Sequence, residues 1–349
     1  VLNTERAIGT DFDDLLEGDA KNNRLTGWLG DDTLIGGAGN DLLSGGIGID
    51  FMDGGEGIDT ADFQQEERAV TVDLRVETAI YETTDGTVIV EDVLNMEQVV
   101  GTEFDDTLIG DAGNNELSGR SGADVLRGGN GNDTLKGGAE LDYFDGGDGV
   151  DTVDFRLEGN AITVDLSAKT AISQLGDGTV VTETILNVEQ VLGDRFDDSI
   201  TGDEKDNFLS GWLGDDTLIG GAGRDTLQGG DGDDILVGGV DSDTLRGGAG
   251  ADTFVLNTLD GSIDEIANFD AAEGDRIQIS AANFGGDLTA GTLAADQFVL
   301  GSAATDANDR FIYDAATRTL SFDADGTGSQ AAIQIASMGA LSHTDIAIV

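Results

Sequence analysis

Residues 27–53 read GWLGDDTLI, GGAGNDLLS, GGIGIDFMD: three consecutive nine-residue units, each opening on glycine, with Asp at the sixth place and a large apolar residue at the eighth. Followed in both directions, the pattern yields nineteen units in three blocks, whose first glycines run from Gly9 to Gly54, Gly101 to Gly146 and Gly193 to Gly247. Position one is glycine in all nineteen, position eight is apolar in all, and position six is Asp sixteen times and Asn three times.

The fuller units fit the form GGxGxDxUx, where U is a large apolar residue, a nonapeptide that marks calcium-binding parallel β-structures. Glycines at positions one, two and four give access to left-handed backbone angles that other residues reach only at a cost. The first six residues are therefore expected to form a tight turn lined by carbonyls, and the last three a short strand. Position eight, as in Leu34, Leu43, Leu126, Leu135, Leu218 and Leu227, points inward. Two units make one rung, and rungs of a parallel sheet stack about 4.8 Å apart. The position-six residues then line up in two columns of negative charge.

Those columns demand counterions. The 349 residues hold 70 Asp and Glu against 17 Lys and Arg, a formal charge of −53, with 54 glycines and no proline. Like charges at rung spacing repel by a few kcal/mol per pair at an effective dielectric of about 20. Carboxylate and carbonyl oxygens suit calcium, which accepts irregular oxygen cages more readily than magnesium. Softer metals lack ligands, because the chain has no cysteine and one histidine, His343. The sign of the charge disfavours nucleic acid as a partner, and no apolar run is long enough for a membrane helix. A disordered acidic spacer does not account for nineteen apolar residues at fixed spacing; it is the expectation for the metal-free chain.

A second period of 92 residues separates Gly9, Gly101 and Gly193. Each module is a roll followed by an insert, and the inserts at 63–100 and 155–192 match at 20 of 38 positions without a gap. Both carry a T-V-D-L run, a D-G-T turn (Asp85 to Thr87, Asp177 to Thr179) and an L-N-x-E-Q-V run. Alternating apolar residues around a two-residue Asp-Gly turn predict a hairpin, with the inserts as wider β rungs or caps in the same stack. Residues 1–8 resemble the end of an insert, and no initiating Met is present, so the chain reads as the tail of a longer protein. The expected class is all-β: a right-handed parallel β-roll, a calcium-bound solenoid, in three blocks (9–62, 101–154, 193–255) separated by β-rich inserts (63–100, 155–192), with a truncated insert end at 1–8 and a C-terminal β domain at 256–349.

The opening unit of each block departs from the formula. Phe12, Phe104 and Phe196 replace the position-four glycine, and the next unit has Asn23, Asn115 or Asn207 at position six. Phe tolerates the left-handed region poorly, so these turns are expected to bind metal weakly or not at all, with the Phe packed on the preceding insert. Glu140 and Asp241 also replace position-four glycines and leave their turns less certain. Trp28 and Trp212 are expected to pack against an insert rather than meet a sugar, position-five acids such as Asp31, Asp215 and Asp233 to face solvent, and Asp323 to Gly326 to form a turn. No HExxH, GxSxG or Cys/His couple occurs, and His343 has no nucleophile array.

The whole chain resembles the RTX family of secreted calcium-binding proteins. Its last ~100 residues look like the C-terminal domain of serralysin-type proteases and other type I secretion substrates. The segments 251–280 and 311–338 and the terminus Asp345, Ile346, Ala347, Ile348, Val349 carry that likeness. It implies unfolded export through a type I channel of a Gram-negative cell, guided by an uncleaved C-terminal signal, and extracellular folding on calcium. By position it implies a metal-ligand set of Asp14, Asp32, Asp41, Asp50, Asp59, Asp106, Asp124, Asp133, Asp142, Asp151, Asp198, Asp216, Asp225, Asp234, Asp243 and Asp252. Each would share an ion with the position-six residue two units on: Asp32 with Asp50, Asp41 with Asp59, Asp124 with Asp142, Asp133 with Asp151, Asp216 with Asp234, Asp225 with Asp243, and Asp234 with Asp252. Four pairs in each six-unit block and five in the last give roughly 13 ions. The implied function is a non-catalytic, calcium-dependent structural and secretion module of a larger extracellular or surface protein, with surface polysaccharide or self-association as further partners. The alternative is the export tail of an enzyme whose catalytic domain lies upstream.

Overall fold

The structure, a computed structural model, describes residues 5–83, 85–156, 158–174, 178–285 and 287–349. The first four residues of the insert-like segment 1–8, and Asp177 of the second D-G-T turn, lie outside the described residues. Two compact units are present: Val1–Glu158 with Leu175–Val188, and Gly159–Gln174 with Glu189–Val349.

In the first unit the rung is two nonapeptides long. Arg24–Leu29 pairs in parallel with Leu42–Ile47, Leu25 opposite Leu43, and Thr33–Ala38 pairs with Phe51–Glu56, Leu34 opposite Met52. The 18-residue offset recurs in Glu116–Ser121 with Thr134–Ala139 and Val125–Asn130 with Tyr143–Asp148. It stacks the position-eight side chains into an interior where Leu34, Leu43, Met52, Leu117, Leu126, Leu135 and Phe144 are fully buried. Full burial of one such side chain stabilises by about 1.5–3 kcal/mol, and the regular column repeats that gain every nine residues.

The strands are longer than the formula implies. Each regular strand runs through positions seven to nine and on through positions one to three of the next unit, so Gly37 pairs with Gly55 and Ala38 with Glu56. The turn proper shrinks to positions four to six. Gly37, at φ 111°, bends the chain while the ladder continues; a β-carbon there would run into the Asp19 carbonyl of the preceding rung. Only glycine combines that angle with so close an approach.

Within this unit the first insert joins both sheets. Val88–Leu94 adds in parallel to Phe51–Glu56 and antiparallel to Thr78–Glu82, which pairs with Thr71–Asp73, which lies parallel to Thr107–Ile109. On the opposite sheet Gln98–Val100 is hydrogen-bonded in parallel to Thr60–Asp62 and to Glu116–Ser121. The D-G-T connection is wider than a two-residue turn. Thr83 N–H reaches the Thr87 carbonyl, Gly86 N–H reaches the Thr83 carbonyl, and the Asp85 carboxylate accepts from Thr83 Oγ1 and the Thr87 N–H. Asp85 is thus occupied in clamping the loop. From the second insert, Val180–Leu186 adds to Tyr143–Asp148, Phe144 opposite Ile185.

The second unit repeats the plan. Thr163–Asp165 lies parallel to Ser199–Thr201, and the rungs run through Thr226–Asp231 with Thr244–Ala249 to Ile235–Val240 with Thr253–Leu256. The stack continues past the last nonapeptide, because Asp264–Ile266 adds to Thr244–Ala249 and Arg276–Ile279 to Thr253–Leu256. The antiparallel strands Phe311–Asp314, Thr319–Phe322 and Ile333–Ser337 come next. Phe284 and Phe322 meet edge-on at 5.1 Å between centroids. The final strand, Ile346–Ile348, adds in parallel to Arg276–Ile279 with both isoleucines buried.

Two packing expectations fail. Phe12 and Phe104 are 77% and 44% exposed, while Phe196 is half-buried with Arg195 over its ring, so the three opening phenylalanines do not share a buried seat. Phe12 and Phe104 avoid the left-handed region by staying out of the regular turn conformation. Trp28 and Trp212 are also about half exposed, because position two faces outward and their φ of 93° and 83° keeps the rings off the core.

Candidate metal sites

The two columns of position-six residues are connected through the main chain. The backbone N–H of each donates to Oδ1 of the residue one rung on: Asp32 to Asp50 at 2.8 Å, Asp41 to Asp59 at 2.7 Å, Asp124 to Asp142 and Asp133 to Asp151 at 2.8 Å. In the second unit Asp216 donates to Asp234 at 2.8 Å, Asp225 to Asp243 at 2.9 Å and Asp234 to Asp252 at 3.1 Å. All seven sequence-derived pairs are therefore juxtaposed. One carboxylate oxygen of each acceptor is spent on the neighbouring rung.

The second oxygen has nothing. Among the described residues Oδ2 of Asp32, Asp41, Asp50, Asp59, Asp124, Asp133, Asp142, Asp216, Asp225, Asp234, Asp243 and Asp252 is buried without a hydrogen-bond partner. A buried polar atom left unsatisfied costs about 1–3 kcal/mol, more if charged, and twelve in register make these columns the candidate cation sites. Each lies against the position-one glycine of its own unit, and at several turns the same small space borders a carbonyl oxygen of the next rung: Gly45 beside Asp32, Gly54 beside Asp41, Gly146 beside Asp133, Gly247 beside Asp234. A β-carbon at position one would overlap both oxygens, which accounts for the invariant glycine there.

Burial, reinforced by neighbouring carboxylates, raises these acids. Asp124 and Asp216 are pushed up to about 8, Asp50, Asp142, Asp225, Asp234 and Asp243 to about 7, and Asp59, Asp133 and Asp252 to about 6. Without a cation the column holds protons near neutrality. A divalent ion would displace them, since ligating carboxylates must be ionised. No group of three or more His, Cys, Asp or Glu side chains converges among the described residues. A cage of six to eight oxygens must here combine carboxylates with main-chain carbonyls, which the turns supply.

The opening turns are wired differently. Asp14 Oδ2 accepts from the Thr10 N–H at 2.6 Å and from Thr10 Oγ1; Asp106 Oδ2 accepts from the Thr102 N–H at 2.6 Å and Oδ1 from Val70; Asp198 accepts from the N–H of Asp194 and of Ile162. The Asn turns close the same way, with Asn23, Asn115 and Asn207 Oδ1 accepting from the N–H of Asp19, Asp111 and Asp203. Position two decides the difference. In the twelve turns with an unpartnered oxygen it has positive φ, including the non-glycines Trp28, Arg120 and Trp212, which turns its N–H away. Glu140 and Asp241 likewise hold φ of 88° and 73°, so their turns keep the regular geometry and leave Asp142 and Asp243 with an open oxygen.

Several residues outside the repeat formula join the columns. Glu97 Oε2 accepts from Asp59 N–H at 2.8 Å; Asp264 and Asp275 accept from Asp243 and Asp252 at 3.1 and 3.0 Å. Strand register places Glu91 one rung beyond Asp50 and Glu183 one rung beyond Asp142. The shared spacing of 92 residues between Glu91 and Glu183 was the available signal. Position-five residues build an outer, exposed ladder of their own, Asp31 N–H to Asp13 and Ile49 N–H to Asp31.

The sequence signature of the RTX calcium-binding nonapeptide repeat (4 copies) matches residues 8–43, 29–61, 100–135, 127–156, 192–227 and 228–260, which together are more than half of the chain. No curated protein matches it. Among solved structures, the extracellular lipase LipA from Serratia marcescens is similar at 17% identity over 70% of this chain and 40% of the lipase chain, with a TM-score of 0.20.

Proposed function

The chain belongs to the RTX calcium-binding nonapeptide repeat family, and from that premise we propose that it is a non-catalytic module whose rolls fold around calcium after type I export, ending a larger extracellular or surface protein. The twelve buried, unpartnered Oδ2 atoms carry the reading, because nothing else in the described chain satisfies them. The ions are assigned to the seven aspartate pairs named above, with turn carbonyls completing each cage. Asp14, Asp106 and Asp198 stay outside the set, since their oxygens already accept backbone N–H groups. Seven shared ions result, fewer than the roughly 13 that the repeat count implies, because the opening turns and the Asn turns are already closed by backbone N–H groups.

Export in the unfolded state is supported by the last strand, whose Ile346 and Ile348 are buried against Arg276–Ile279; a signal there is legible to the secretion machinery only before the fold closes. Among the described residues no helix is long and apolar enough to cross a membrane. Calcium titration of the stripped chain, followed by circular dichroism, tests the proposal. Strand signal should rise cooperatively between about 10⁻⁴ and 10⁻³ M and disappear in excess chelator, with magnesium a poor substitute. An unchanged spectrum in chelator overturns it.

A further inference from the structure

The seven pairs account for the open oxygens inside the blocks, but the last aspartate of each column has no nonapeptide beyond it. Asp50 and Asp142 hold such positions in the first unit, both buried and each with Oδ2 unpartnered. Beyond each of them the chain enters an insert. Register sets Asp92 opposite Phe51 and Thr184 opposite Tyr143, so Glu91 and Glu183 stand where a nonapeptide would place its sixth residue.

Both are almost completely buried, at 2% and 1% exposure. Neither Oε1 nor Oε2 of Glu183 has a hydrogen-bond partner. Ionised, that carboxylate lacks donors; protonated, its hydroxyl lacks an acceptor. Neither form is satisfied by the protein. The Tyr81 hydroxyl gives its one proton to the Gly48 carbonyl at 2.7 Å, which leaves Glu91 Oε1, 3.0 Å from the same hydroxyl oxygen, without that donor. Tyr81 also lines a cleft with Glu66, Gly48 and Ile47.

We propose that each insert carries a divalent-cation site of its own, formed by the last aspartate of a roll column and a buried insert glutamate: Asp50 with Glu91, and Asp142 with Glu183. These sites rest on the calcium reading of the rolls and extend it to residues that the nonapeptide formula does not contain. Hard oxygen donors on a short aspartate and a longer glutamate select calcium over magnesium, which demands a tighter octahedron. The longer Glu side chain spans the offset where the chain leaves the repeat and enters the hairpin. The consequence is that Val88–Leu94 and Val180–Leu186 dock on the roll only with the ion in place, so that the insert locks the end of its block.

The test counts calcium bound to the full chain by equilibrium dialysis, for wild type, Glu91→Gln, Glu183→Gln and the double variant, together with melting in calcium and in chelator and hydrogen exchange across the inserts. Each single variant should lose one ion, the double two, with faster exchange in its own insert and a lower melting temperature in calcium only. Unchanged counts, with melting equal or higher in both conditions, would mean a protonated or hydrated glutamate and overturn the proposal while the roll sites stand. A wild-type chain that binds no calcium overturns the parent reading instead. The two modules are independent copies, so a variant that fails to fold in one leaves the other to decide.

Discussion

The opening turn of each block and the regular turns above it share a first glycine, an aspartate at position six and an apolar residue at position eight, yet they treat the carboxylate in opposite ways. Asp106 sits under the Thr102 N–H at 2.6 Å and has both oxygens engaged, whereas Asp124, one rung on, has Oδ2 buried and alone. The separating variable is the backbone at position two. Thr102 keeps its N–H turned inward, while Arg120, at φ 86°, turns its N–H out and leaves the oxygen for something else. Strand length obeys the same divide: Thr107–Ile109 stops after three residues, but Val125–Asn130 runs for six. An acidic residue at the right place is therefore necessary for an open oxygen and not sufficient. The left-handed second residue converts a self-closed turn into a receptive one.

Deleting one carboxylate from each kind of turn breaks the comparison most severely. Asp133→Ala should release the ion shared with Asp151, about 1.4 kcal/mol for a site with calcium at ten times its dissociation constant, and should leave the third block largely intact because solenoid coupling is between neighbours. Asp106→Asn should leave the calcium count unchanged; its single amide oxygen cannot accept from both the Thr102 and the Val70 N–H, so any fall in melting should be the same in calcium and in chelator. Calcium counts and melting of the two variants decide the matter. Equal losses from both would erase the distinction between turn types.

Acid should separate the two states of the regular turns. The folded values of about 6 to 8 lie above the ordinary aspartate value of 3.8, so between those limits the folded chain holds more protons than the unfolded one. Without calcium, the contribution of these groups to stability is fully present below about pH 4 and is lost as the pH rises through about 6 to 8. With calcium the dependence reverses, because the ion competes with those protons: binding near pH 7 should release protons into a weakly buffered solution, and affinity should fall as the pH drops through the same window. A calcium-stripped chain should thus show more strand at pH 4 than at pH 8 by circular dichroism. The opposite order would mean that the columns are solvated rather than buried.

The spacing of glycine and leucine was enough to read the rung and its two columns of position-six residues, because both depend on a nine-residue period visible in one dimension; the pairing of those residues came from the family resemblance. Other features depend on what a neighbouring rung does. Strand extension through positions one to three comes from ladder bonds between Gly37 and Gly55, which lie 18 residues apart. Glu91 and Glu183 were hidden because the chain leaves the period between Asp50 and Glu91 and returns to the column after a hairpin. Repetition reveals what a period repeats, and it is silent about residues that reach the same column by another route.

The smallest expected effect is the most direct conversion of one turn type into the other. Thr102→Gly with Phe104→Gly gives the opening turn of the second block the two glycines of the formula, freeing position two to adopt positive φ and withdrawing the N–H that closes Asp106 Oδ2. One additional calcium should then bind. Little core is lost with the half-exposed Phe104 ring, but each new glycine adds unfolded-chain entropy worth about 0.4–1 kcal/mol, which offsets most of the gain from an ion. Melting should therefore move little while the ion count rises by one. If the count stays fixed in the doubly substituted chain, the second residue does not govern the open oxygen, and the contrast between the two turns has to come from the insert strand that donates the Val70 N–H to Asp106.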